Sequence, residues 1–160
     1  MIREAEPRDR EGIQRLYEAL CPGAPVRVLP ERIAAIKEDP NNFLFVVEVD
    51  GKIAGTVLLT VILSSIFGTQ DFGLIEYLIV DQHYRRQGIG RRLTEHVSQV
   101  CRARKCTRII LLSNDHRKEA HAFYESMVKK PCACSVRNSP FLVFPLFRYR
   151  NRGKKGPVKM

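Results

Sequence analysis

Apolar positions recur along the chain with two different periods, and the switches between them mark its elements. In residues 8–20, RDREGIQRLYEAL, Ile13, Leu16, Tyr17 and Leu20 fall three and four apart behind Pro7 and an acidic start. That spacing lays them along one stripe of a helix, which ends near Cys21-Pro22-Gly23. Ile33 and Ile36 mark a second, shorter helix over Pro30–Glu38, and Asp39-Pro40-Asn41-Asn42 closes it in a turn.

From Phe43 the helical period gives way to β-branched and aromatic runs. Phe43–Val49 and Lys52–Leu63 read as strands. Asp50-Gly51 between them is the two-residue signature of a hairpin whose central residues need positive φ. Ser64–Phe72 is a polar loop, and Gly73–Val80 (GLIEYLIV) is a third strand in which Glu76 is the one charge. Beyond the charged stretch Asp81–Gln87, the apolar residues Ile89, Leu93, Val97, Val100 and Cys101 return to helical spacing. This helix opens at Gly88-Ile89-Gly90 and ends near Arg104-Lys105, where cations suit the negative end of its dipole. Arg108–Ser113 is a short buried strand. His116–Met127 is a last helix with Ala120, Phe123, Tyr124 and Met127 on one face. Two helices, three strands, a helix, a strand and a helix predict one mixed α/β domain. Its central sheet is expected to be mostly antiparallel, with one parallel crossover from 74–80 to 108–113 and helices on its flanks.

Charge divides the chain where periodicity does not. Nine of the 27 Lys and Arg residues fall in 129–160, a stretch that holds none of the 17 acids. The net charge of +10 is therefore a property of the end and not of the domain, so residues 1–128 form the expected core and 129–160 an atypical basic segment. A solvated, partly disordered tail is the plainer reading, and a nucleic-acid footprint the sharper one, which is disfavoured. Phe141–Phe147 can form a divergent closing strand, with Pro145 suited only to an edge. The start MIREAEPRDRE lacks the apolar core of a secretory signal, and no 18-residue apolar run occurs, so a cytoplasmic protein off the membrane is expected. The cysteines Cys21, Cys101, Cys106, Cys132 and Cys134 are odd in number and read as free thiols. Cys132-Ala-Cys134 lacks the further ligands a zinc site needs, so no metal is expected.

The chemistry concentrates in Arg85-Arg86-Gln87-Gly88-Ile89-Gly90, between a strand and a helix. Backbone N–H groups at a helix start, aided by the dipole, bind a pyrophosphate, and glycines let it come close. Arg91 and Arg92 add charge beside it. No Gly-Lys-Ser/Thr follows, which excludes a Walker loop, and two glycines do not make a dinucleotide fingerprint. A solvated basic turn remains the plain alternative at this point.

The run IEYLIVD, YRRQGIGRRL, an amphipathic helix, RIILL and KEAHAFYES resembles, in order and spacing, the acetyl-CoA core of the GNAT superfamily of N-acetyltransferases. The resemblance covers about residues 1–128, and the family's Arg-x-x-Gly-x-Gly falls on Arg85, Gly88 and Gly90. It implies transfer of an acetyl group from acetyl-CoA, a co-substrate, to a primary amine of a small molecule, by direct attack in a ternary complex. It also implies a bulge in the strand before the loop, with Leu78 facing the acetyl carbonyl, Ile79 beside it and Val80 at the pantetheine amide. The pyrophosphate would rest on the N–H groups of residues 86 to 91, from Arg86 through Gln87, Gly88, Ile89 and Gly90 to Arg91. Tyr124 would be the acid that protonates the departing thiolate, and Glu76 the candidate base. Arg117 stands where many members have Asn, with the CoA phosphates within its implied reach. No cysteine sits beside a base, which speaks against an acetyl-enzyme. Two other readings stay open: a non-catalytic acyl-CoA-binding or regulatory domain, and a basic nucleic-acid module. A homodimer through the closing hairpin is also left open.

For the acceptor, residues 15–35, the loop 64–73 and the C-terminal segment are the expected walls. Tyr17, Arg27 and Asp71 are their polar candidates. His83, His96 and His121 read as surface residues.

Overall fold

A computed structural model describes residues 1–65, 70–114, 117–127 and 141–148. A six-stranded sheet runs in chain order, β1 (Ile2–Glu4), β2 (Asn42–Val49), β3 (Lys52–Ile62), β4 (Phe72–Val80), β5 (Arg108–Asn114) and β6 (Phe141–Arg148). Every neighbouring pair is antiparallel except β4 and β5, which are parallel. The helices are α1 (Arg10–Leu20), α2 (Pro30–Glu38), α3 (Ile89–Ala103) and α4 (Lys118–Met127). The mixed α/β architecture with one parallel crossover is the one the sequence predicts. Cys132, Cys134 and the end of the basic segment lie outside the described residues.

Local chemistry explains most boundaries. Asp50 and Gly51 take φ of 49° and 73°, and Val49 pairs with Lys52 across them. Both central residues are thus left-handed, as a type I′ turn requires to match the twist of the strands. Pro30 sits at the first position of α2, where its missing N–H has no partner to lose. Pro145 lies on the edge strand β6, opposite Ile110 and beside a register shift, a place where a missing donor is tolerated.

Each face of the sheet carries its own core. On one side Ile13, Leu16 and Ile33 of α1 and α2 pack on Leu44, Val46 and Ile79. On the other, Leu93, Val97 and Cys101 of α3 and Tyr124 of α4 meet Phe45, Val57, Leu59 and Ile75. Ile75 is wholly buried, and burying such a side chain contributes roughly 2–3 kcal/mol. Cys101 and Cys106 are buried free thiols, and loss of solvent pushes the Cys101 thiol up to about 12.

Two features were not in the sequence reading. β1 pairs Ile2 with Val47 at the start of the chain. Beside it, the Arg3 guanidinium donates to both Asp9 carboxylate oxygens at 2.7 and 2.8 Å and to Glu48 at 2.8 Å. Desolvation alone would raise the Asp9 pKa, but the Arg3 hydrogen bonds and the Glu6 N–H lower it below its ordinary value. This cluster ties the strand to the foot of α1. His96, read as a surface residue, is instead half-buried, edge-on to Phe45 at 4.6 Å. It neighbours the buried Val97 on the helix, which brings it within reach of the sheet and its Phe45 ring. Desolvation lowers its pKa.

Candidate active site

The strand before the glycine loop is broken in register. Leu58 of β3 stands opposite Glu76 and Thr56 opposite Ile79, so Val57 alone faces Tyr77 and Leu78. Two residues against one is a bulge, which leaves a residue out of the ladder and turns the strand. Tyr77 absorbs the extra residue with φ of 52° and is 48% exposed.

On its other edge β4 pairs with β5 only from Phe72 to Ile75. Beyond Ile75 the two strands part, and residues 76–80 have no partner on that side among the described strands. Parting and bulge together open a cleft of about 760 Å³. Leu78, Ile79 and Val80 form one wall, and Arg117, Phe123 and Tyr124 stand among the residues opposite.

The start of α3 closes one end of the cleft. Gly88 is its N-cap with φ of 75°, and a Cβ built there would meet nothing within 4 Å. Arg86 is left-handed too, at 62°. The first helical N–H groups have no acceptor within the helix, and Gly88, Ile89 and Gly90 line the cleft. Arg85, Arg86 and Arg91 line the cleft around them, and a helix start with cations beside it is an arrangement suited to an anion.

Tyr124 is 4% exposed and its ring meets that of Phe123 at 5.4 Å. Desolvation by burial raises its phenol pKa, and Arg117 opposes part of the rise. The phenol is thus held protonated at neutral pH beside the cleft. Arg117 immediately precedes α4, where its carbonyl accepts from the His121 N–H at 3.0 Å.

Of the residues singled out in the sequence, the cleft gathers Leu78, Ile79, Val80, Arg85, Arg86, Gly88, Ile89, Gly90, Arg91, Arg117 and Tyr124. Gln87 is not among its walls; its side chain donates to the His83 carbonyl at 3.4 Å. Glu76 does not line it either. It lies half-buried one residue before the bulge, close enough to Tyr17 to act on that hydroxyl. Tyr84, Phe123 and Leu20 line the cleft without having been singled out. Tyr84 directly precedes the arginine pair, which is a signal; Leu20 comes from a helix distant in sequence and carries none.

A second cavity of about 390 Å³ lies on the α1–α2 side, bordered by Tyr17, Leu20, Arg27, Arg32, Leu58 and Tyr77, with further aliphatic side chains. Tyr17 and Tyr77 meet ring to ring at 5.4 Å. Burial raises the Tyr17 phenol well above its ordinary value, and Thr56 opposes part of the rise. Asp71 takes no part in either cavity. Its carboxylate accepts from the Ser64 N–H at 3.1 Å and its carbonyl from the Thr107 N–H at 2.8 Å, so it fastens the loop into β4.

Solved structures with this fold include an Agrobacterium tumefaciens protein described as an acetyltransferase, at 27% identity and a TM-score of 0.73 over 86% of this chain and 99% of that one. Glucosamine-6-phosphate N-acetyltransferase from Arabidopsis thaliana is similar at 25% identity and a TM-score of 0.67, covering 87% and 98%. An aminoglycoside acetyltransferase from an uncultured soil metagenomic sample shares the fold at 23% identity and a TM-score of 0.69, over 79% and 85%. The model of the acetyltransferase (GNAT) family matches residues 13–127, from inside α1 to the last residue of α4. A match of that extent decides the question of family: the chain belongs to the GNAT acetyltransferases.

Proposed function

We propose that the protein transfers the acetyl group of acetyl-CoA to the primary amine of a small molecule, within one ternary complex. The observation that carries this reading is the bulge at Tyr77–Leu78 opening onto the same cleft as the start of α3. In the proposed complex the N–H groups of residues 86–91 hold the pyrophosphate, and Leu78–Val80 run alongside the pantetheine arm. The N–H of Leu78 meets the thioester carbonyl, where a fixed donor stabilises the oxyanion of the tetrahedral intermediate.

Glu76 first accepts a proton from the ammonium, through water where the distance requires it. The freed nitrogen lone pair then attacks the carbonyl carbon and a C–N bond forms. As the intermediate collapses, the C–S bond breaks and Tyr124 gives its proton to the sulfur. The proton leaving nitrogen restores the phenol, and the one held by Glu76 returns to solvent.

The alternative reading is a non-catalytic domain that binds acyl-CoA without turnover. A tyrosine turned away from the cleft would favour it, whereas Tyr124 lines the cleft. Calorimetric titration of acetyl-CoA into the wild type and a Gly88→Trp variant tests the proposal. Gly88 faces open space, so the indole meets the ligand and not the core. Micromolar affinity in the wild type and at least a tenfold loss in a folded variant are expected. A folded wild type that binds no acetyl-CoA would sink the reading.

A further inference from the structure

The second cavity differs from the cleft in chemistry. Its walls are aliphatic on nearly every side, from Ile13, Val28, Leu29 and Ile36 to Leu44 and Leu58, with Tyr17 and Tyr77 as its aromatic surfaces. Its two charged residues are both cations, Arg27 and Arg32, and no acid lines it among the described residues. Both arginines are exposed, and neither is paired with a carboxylate among the described residues. Leu20 borders this cavity and the cleft alike, and Tyr77 of the bulge borders this cavity while its neighbour Leu78 borders the other. The two cavities thus adjoin at Leu20 and the bulge.

We infer that the acceptor is a primary amine carried on an apolar or aromatic body that also bears an anionic group. The inference rests on the acetyl-transfer reading above and assigns the chemistry of its second substrate. The aliphatic walls take the body. Arg27 and Arg32 supply charge-assisted donors for a carboxylate or phosphate. The amine lies toward the bulge and Glu76.

The same walls select against other amines. A polycation would lose hydration facing two arginines with no acid to compensate, which is costly in an apolar surround. A sugar would bring several hydroxyls against walls with few partners, and each unpaired buried hydroxyl weakens binding.

The test is a free-thiol assay with acetyl-CoA on the full chain, using amines in matched pairs. L-phenylalanine is set against 2-phenylethylamine, and 8-aminooctanoate against octylamine, with spermidine, kanamycin and glucosamine-6-phosphate as the alternative classes. At least one acid-bearing member is expected to exceed its acid-free partner, and all three alternatives, at least tenfold in kcat/KM. An Arg27→Ala/Arg32→Ala variant should raise KM for that substrate at least tenfold, and at least fivefold more than KM for the matched plain amine. Preferred turnover of spermidine, kanamycin or glucosamine-6-phosphate overturns the inference and leaves acetyl transfer standing. So does an equal loss on both members of a pair in the arginine variant. Absence of acetyl-CoA binding, read separately by calorimetry, removes the acetyl-transfer reading and the inference with it.

Discussion

At Tyr124 a single property links burial to chemistry. A phenol can act as an acid only while it holds its proton, and desolvation raises its pKa while Arg117 restrains the rise. Above the folded pKa the phenolate has nothing to give, so kcat falls as pH rises through it. Because the shift is upward, that fall is expected above the ordinary tyrosine value of 10.0. A Tyr124→Phe variant should lose about 100-fold or more in kcat, the usual scale of general acid catalysis, while acetyl-CoA affinity changes less than threefold. Steady-state rates against pH read both effects; an unchanged kcat would return the tyrosine to the role of a core residue. Glycines, arginines and this tyrosine were legible in the sequence because the family pattern fixes their spacing. The walls given by Leu20 and Phe123, and Tyr77's place at the second cavity, were not. Their positions depend on which residues the bulge and the helix faces bring together, and no local signal encodes that.

Elements with strong local chemistry are the ones periodicity recovers. The helix Pro30–Glu38 is found at its predicted bounds, and the Asp50-Gly51 hairpin is where its two left-handed residues demand it. The strand β1 has three residues, too few to show alternation, and exists because its partner β2 is there to pair with it. Helix α3 ends less well than it begins. Lys105 follows Arg104 with φ of 59°, and its N–H donates to the Arg102 carbonyl at 3.0 Å. This is the left-handed position after a helix that glycine usually fills. A side chain there costs roughly 1 kcal/mol, and Lys105 is exposed with little packing to lose. Lys105→Gly is therefore expected to stabilise the protein by about 0.5–1 kcal/mol, measured as a higher urea midpoint at unchanged m. A lower midpoint would mean that the lysine stem contributes more than the strain it carries.

Over the whole molecule, β6 completes the sheet from the far end of the chain, pairing with β5 from Arg108↔Arg148 to Asn114↔Phe141. Without it β5 becomes an edge strand beside the cleft, with unpaired backbone groups open to association. A chain ended after residue 130 should melt lower and aggregate more readily than the full chain. Equal melting curves would show that the basic segment lies outside the cooperative unit. The parting of β4 from β5 has a counterpart in mechanics. The two strands are joined along four residues, Phe72–Ile75 with Arg108–Leu111, assisted by the Arg108 guanidinium 4.5 Å above the Phe72 ring. That short seam is all that the sheet ladder offers between β1–β4 and the remaining β5–β6 pair, so it is the natural line of sub-global opening. Amides of β5 should exchange hydrogen as a group, ahead of those in β2 and β3. A ligand held on one side by the α3 start and on the other by Arg117 and Tyr124 would act as a clasp across that line. Saturating acetyl-CoA should therefore slow exchange in β5 more than in β2, by mass action on the closed form; uniform slowing would show that the sheet opens as one piece.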